Sequence, residues 1–72
     1  MTDIGIKIRE LREKKGETLR YTADSIGVSH AHLSKIETGK NTPSIEVLEK
    51  VAEHFGVSIG YLFGEEQSIE EL

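Results

Sequence analysis

The chain has no cysteine and no tryptophan, only one proline and four aromatic residues in 72. Without cysteine, a disulfide frame and a thiolate-held metal are both excluded, so packing alone has to hold the fold. No apolar stretch approaches the ~20 residues that span a bilayer, and none has the form of a signal peptide, so the cytoplasm is the expected compartment. Seventy-two residues allow one domain. A core that small is marginal unless its elements are short, local and well capped, which favours a helical bundle. An excess of basic residues is missing too: the net charge is −4, which taken alone argues against a polyanionic partner. The distribution of that charge argues the other way. Glu65, Glu66, Glu70 and Glu71 carry the whole imbalance, and residues 1–64 hold nine basic against nine acidic side chains.

What is present is a series of short helical patterns punctuated by caps. Ile4, Ile8 and Leu11 share one face of a first helix from about Asp3 to Lys15, capped by Thr2 or Asp3, stopped by Gly16 and supported by an exposed Glu10–Lys14 pair. A second helix is expected over Leu19–Ile26 with Thr18 as its N-cap. Ser29 then caps a third, in which Leu33 and Ile36 form the apolar stripe and Gly39 is the stop. Between these two, Ala23 is small where backbones approach, Gly27 suits a tight turn, and Ile26, Val28, Leu33 and Ile36 fill the angle. After the turn-forming run Gly39–Ser44, Ile45, Leu48, Val51, Ala52 and Phe55 mark the core face of a fourth helix, capped by Ser44 and ended by Gly56. A short fifth helix covers about Ile59–Phe63 with Ser58 as cap, and Ile59, Leu62 and Phe63 partly close the core, with some of this surface left exposed.

These positions resemble the helix-turn-helix of the phage-repressor/Cro-like (XRE-type) family of bacterial and phage regulators. The resemblance rests on Ala23, Gly27, Leu33, Ser34, Ile36, Glu37 and Gly39. It extends from Ile4-Gly5 through Leu11-Arg12 to Pro43-Ser44 and Gly56-Val57-Ser58, so it covers about residues 4–63. It implies an all-α, compact five-helix bundle of the lambda-repressor-like type, with a helix-turn-helix at helices two and three. Residues 1–64 would be the DNA-binding domain, and 65–72 an acidic tail or the start of a short helix. It also implies that Arg12 pairs with Glu37, tying helix one to the end of helix three, and that dimers form through the Ile59, Tyr61 and Phe63 end. The second helix departs from the family: Leu19 stands at the usual phosphate-binding glutamine, Glu17 at an apolar position, and Thr22 at a buried leucine. Thr22 is expected to bond the carbonyl of Thr18, and Leu19 to restore packing that Glu17 gives up. Phosphate anchoring there would fall to Thr18, Arg20 or backbone amides.

In this docking mode the start of the recognition helix reads base edges in the major groove. With Leu33 and Ile36 inward, His30, Ala31, Ser34 and Lys35 face outward and are the base-contact candidates. Lys35 can donate to guanine O6 and N7, His30 can donate or accept, and Ala31 can touch a thymine methyl. His32, to the side, together with Thr18, Arg20, Thr38, Lys40 and Asn41, belongs to the phosphate-contact set. Each has a plainer reading as a solvated residue. His30 and His32 are unsuited to a metal, since i and i+2 lie on different helix faces. Tyr21 is read as half-buried packing, His54 as a surface residue, and Glu46, Glu49 and Glu53 as a solvated face. No constellation for covalent catalysis is present, so the chain is read as no enzyme, with no cofactor. The expected function is sequence-specific double-stranded DNA binding by a homodimer on a palindromic operator, as a transcriptional regulator with repression as the default. The alternatives are the antitoxin half of a toxin–antitoxin pair, with a toxin as partner, and a protein-interaction module that has lost DNA affinity.

Overall fold

A computed structural model describes residues 4–64, and among these there are five helices and no strand. They are α1 (Ile4–Lys14), α2 (Leu19–Ile26), α3 (His30–Glu37), α4 (Ile45–Phe55) and α5 (Ile59–Leu62). The cap expected at Thr2 or Asp3 and the acidic tail 65–72 lie outside the described residues.

Four of the helices begin in the same way. The hydroxyls of Thr18, Ser29, Ser44 and Ser58 accept the backbone N–H three residues on, from Tyr21, His32, Val47 and Tyr61, at 3.0–3.1 Å. Each such cap satisfies an otherwise unpaired amide and contributes about 1 kcal/mol. In so small a chain, where hydrophobic burial is limited, those local contributions matter.

The core collects Ile8, Ala23, Ile26, Leu33, Ile36, Leu48, Val51, Ala52, Phe55 and Leu62 from all five helices. Ile4, Leu11, Leu19, Val28, Val47, Val57 and Ile59 pack against it, so Leu19 does supply apolar cover at the start of α2. Between α2 and α3, Gly27 takes φ 81°, a conformation costly for any residue with a Cβ, and Val28 N–H closes the turn on the Ala23 carbonyl at 3.0 Å. Ala23, fully buried beside this turn, lets the two helices meet.

Several sequence expectations are corrected. Ile45 is 63% exposed rather than part of the core: periodicity fixes the face it shares with Leu48, but it is the first residue of α4 and nothing covers it there. Tyr21 is likewise exposed, at 58%, its ring tilted 6.4 Å from that of His54. The ion pair on α1 is Arg9–Glu13 at 3.2 Å, not Glu10–Lys14. Helix α5 ends at Leu62, leaving Phe63 as its cap and half exposed.

The largest correction concerns the departures in α2. Thr22, fully buried, donates its hydroxyl to Glu17 Oε1 at 2.6 Å, and only its backbone N–H bonds the Thr18 carbonyl. His54 is no surface residue: its Nε2 lies 2.8 Å from the same carboxylate oxygen, and the two side chains are 18% and 12% exposed. Glu17 and Thr22 therefore satisfy one another, with α4 supplying the third member. Burial alone would push the Glu17 carboxyl up, but the hydrogen bonds from Thr22 and His54, together with nearby positive charge, outweigh it and hold the group below its ordinary value. A depressed carboxylate stabilises the fold above its unfolded-state pKa, and that contribution is lost as pH falls through the folded-state value. Glu17→Gln is thus expected to cost about 1.5–3 kcal/mol at neutral pH, the range for hydrogen bonds to a charged group. The gap to wild type should shrink on acidification into the carboxylate range. Urea denaturation at neutral and acid pH measures it, and a gap independent of pH would contradict the assignment.

Candidate nucleic-acid interface

The face of α3 away from the core gathers the polar base-contact candidates. Leu33 and Ile36 are buried at 0% and 1%, so the helix can turn only its other side to solvent. His30, Ala31 and Lys35 lie there exposed, with His32 and Ser34 partly covered at its flanks. Thr18 and Arg20, at the start of α2, and Lys40 and Asn41, beyond α3, are exposed as well. Backbone amides of Lys40 and Asn41 both return to the Lys35 carbonyl, at 2.8 and 3.2 Å, which fixes the loop against the end of the helix.

The two threonines in the phosphate set differ in what they have left to give. Thr18 Oγ1 accepts from the Tyr21 amide, so its hydroxyl hydrogen remains for a phosphate oxygen. Thr38 donates its hydroxyl to the Ser34 carbonyl at 3.0 Å and lies 3.4 Å from that of Lys35. A phosphate offers only acceptors, so Thr38 would have to surrender that bond first. His30 also has a partner, unforeseen in the sequence: its Nε2 is 3.1 Å from Asp24 Oδ1, across the turn from α2.

Arg12 and Glu37 hold α3 in place from behind. Arg12 Nε donates to Glu37 Oε2 at 2.8 Å and Nη2 to Oε1 at 3.0 Å, while Nη1 reaches the Glu17 carbonyl at 3.0 Å. The hydrogen bond to Glu37 is the main reason the guanidinium pKa lies above its already high ordinary value, so Arg12 keeps its charge. A second constraint is Gly5, whose place in the sequence signals nothing beyond its part in the resemblance. It is buried, and a Cβ there would collide with the Ile36 carbonyl oxygen and sit 2.7 Å from that of Glu37. Helix α1 therefore lies directly on the final turn of α3.

Away from this face, Ile59 and Tyr61 are half-buried and Phe63 is 46% exposed. Lys7 Nζ lies 4.8 Å from the centre of the Tyr61 ring, joining α1 to α5. Among the described residues no group of three or more His, Asp or Glu could hold a metal ion, and no helix is long and apolar enough to cross a membrane.

A helix-turn-helix family model matches residues 8–62. The chain belongs to the helix-turn-helix family. Over 68 residues it is 40% identical to the HTH-type transcriptional regulator SinR of Bacillus subtilis, a match covering 93% of this chain and 61% of SinR. The chain thus spans about three fifths of that relative's length. The N-terminal DNA-binding domain of SinR from Bacillus subtilis superposes with a TM-score of 0.82 at 38% identity, covering 93% of this chain and 99% of that domain. The structure of SinR, master regulator for biofilm formation, in complex with DNA gives 0.77 at 42% identity, over 82% of this chain and 95% of the other. The five-helix, all-α fold described above thus matches that of the SinR DNA-binding domain.

Proposed function

We propose that this helix-turn-helix chain binds double-stranded DNA in a sequence-specific way and acts as a transcriptional regulator, by default a repressor that occludes a promoter. The observation that carries the reading is the division of α3: one side is fully buried, and the other offers His30, Ala31, Ser34 and Lys35 between two flanks of phosphate-binding residue types. Likeness to a DNA-binding domain and to a DNA complex supports it. Helix α3 enters the major groove, where Lys35 donates to guanine and Ala31 meets a thymine methyl. Thr18, Arg20, His32, Lys40 and Asn41 hold phosphates and set the register, and Thr38 joins them only by releasing its own helix. No bond is made or broken, and a DNA partner places the protein in the cytoplasm. Dimerisation through Ile59, Tyr61 and Phe63 would put two recognition helices on half-sites about one turn, roughly 34 Å, apart on a palindrome.

Selection from a random duplex pool, followed by titration of the enriched site at two salt concentrations, tests this. A palindrome should emerge whose affinity falls steeply with salt, and Lys35→Ala should weaken it by about 1–3 kcal/mol while relaxing one position of each half-site. Folded protein that enriches nothing at low salt would overturn the reading in favour of a protein partner.

A further inference from the structure

Glu17 is held through its backbone and its side chain at once, by three helices. Its N–H donates to the Arg12 carbonyl at 3.0 Å, and its own carbonyl accepts from Arg12 Nη1 at 3.0 Å. Its carboxylate, only 12% exposed, accepts from Thr22 of α2 at 2.6 Å and from His54 Nε2 of α4 at 2.8 Å. The next residue is Thr18, the exposed N-cap of α2, with a hydroxyl hydrogen left to give, and Arg20 is exposed two residues on. The Glu17 carbonyl and the Thr18 N–H share one planar peptide, so fixing the first aims the second. The guanidinium that fixes it also grips Glu37 at the end of α3. The start of α2 and the loop after α3 are therefore referenced to one group.

We propose that Glu17 is a positioning residue for DNA binding: clamped between Thr22 and His54, it sets Thr18 and Arg20 at the spacing from Lys40 and Asn41 that two phosphates of one duplex require. The proposal rests on the DNA-binding reading above, in which Thr18 and Arg20 hold a phosphate. Leu19 brings no donor side chain to the first position of α2, so that contact depends on where the backbone carries its two neighbours. Phosphates sit at fixed intervals along a strand, and hydrogen bonds to them weaken steeply with misalignment. A small shift of the α2 start, harmless to the core, therefore loses the contact. His54, which has no place in the contact scheme, acts on it from α4 through the carboxylate.

The test remakes the duplex enriched by wild type with a single methylphosphonate in place of each phosphate in turn. In wild type, one neutralised phosphate per half-site should weaken binding about tenfold, as one hydrogen bond to a charged group gives. Arg20→Ala should lose that sensitivity, which identifies the phosphate held by α2. Glu17→Ala should bind about tenfold more weakly and be indifferent to the same phosphate, while its base preference and its response at phosphates assigned by Lys40→Ala stay as in wild type. Glu17→Gln keeps an amide oxygen that accepts from both Thr22 and His54, so it should retain the phosphate effect despite its lower stability. A merely structural Glu17 would instead lose affinity in step with stability, at every phosphate alike. His54→Ala leaves the Thr22 bond in place and should fold even where Glu17→Ala does not, with the same loss confined to the α2 phosphate. Circular dichroism checks that each variant is folded. Full sensitivity at that phosphate in folded Glu17→Ala or His54→Ala, a loss spread evenly over all phosphates, or no phosphate whose effect depends on Arg20 overturns the proposal while leaving operator reading intact. A wild type that enriches no duplex overturns both.

Discussion

Arg12→Ala is expected to lower the unfolding free energy by about 3–5 kcal/mol. The side chains of Arg12 and Glu37 are only 13% and 5% exposed, and the guanidinium meets the carboxylate with two parallel hydrogen bonds. Removing Arg12 strands an ionised Glu37 away from water and leaves the Glu17 carbonyl without its donor. The loss is therefore larger than the intact pair contributes, because desolvation of the survivor is no longer offset. Small domains hold about 5–15 kcal/mol in all, so a chain of this size would sit close to its unfolding threshold at room temperature. Arg12→Lys should recover only part, since an ammonium is one point of charge and cannot span both carboxylate oxygens. Replacing the pair together, Arg12→Met with Glu37→Leu, should be far milder than either single loss, because no buried charge remains. Urea denaturation of these variants beside wild type decides it. Equal midpoints for Arg12→Ala and wild type would mean that the pair is solvated in solution.

That pair and the helix ends are open to sequence reading for different reasons. Caps are local: a hydroxyl three residues before the amide it accepts is visible as a spacing, which is why Thr18, Ser29, Ser44 and Ser58 can be placed with their helices. The buried stripe of α3 is local as well, and the exposed set opposite it follows from the helical period. Arg12 and Glu37, 25 positions apart, follow from no spacing at all. Only the family resemblance suggests them. Where the chain departs from its family that guide fails, and in the sequence Glu17, Thr22 and His54 look like three separate weaknesses or surface groups. Their meeting joins residues 37 positions apart through α4, and no periodicity contains it. One signal is there to be seen: a buried-type position holding threonine, five residues after a carboxylate at another apolar position, asks for a partner.

Period also overreaches at an end. It puts Ile45 on the core face correctly as an angle, but says nothing of how far along the axis the neighbouring helices extend. The same limit applies to the interface. Exposure of His30 is readable, but its bond to Asp24 depends on the angle at which α2 and α3 cross, and the engagement of the Thr38 hydroxyl depends on how α3 ends. Residue type and face are sequence properties, whereas which hydrogens remain to give away is a property of the folded chain.

Gly5→Ala should be nearly as damaging, at about 3 kcal/mol, although alanine gains about 1 kcal/mol of helix propensity over glycine. The added methyl would overlap the Ile36 carbonyl oxygen and approach that of Glu37 to 2.7 Å, and both are backbone atoms that no rotamer change can move aside. Relief requires α1 to lift from the final turn of α3, and lifting it stretches the Arg12–Glu37 bonds that span the same gap. The two sites are thus coupled, and Gly5→Ala combined with Arg12→Ala should cost less than the sum of the singles, because the second change loses an interaction that the first has already weakened. Gly56→Ala is the control. Its backbone has φ 70° but open space around it, and no hydrogen bond joins it to Arg12 or Glu37, so its cost should be only the left-handed strain, about 1–2 kcal/mol, and should add fully to that of Arg12→Ala. Urea denaturation of the singles and of both doubles separates the cases. If Gly5→Ala unfolds at the wild-type midpoint, α1 does not press closely on α3, and the restraint on α3 lies with Arg12 alone.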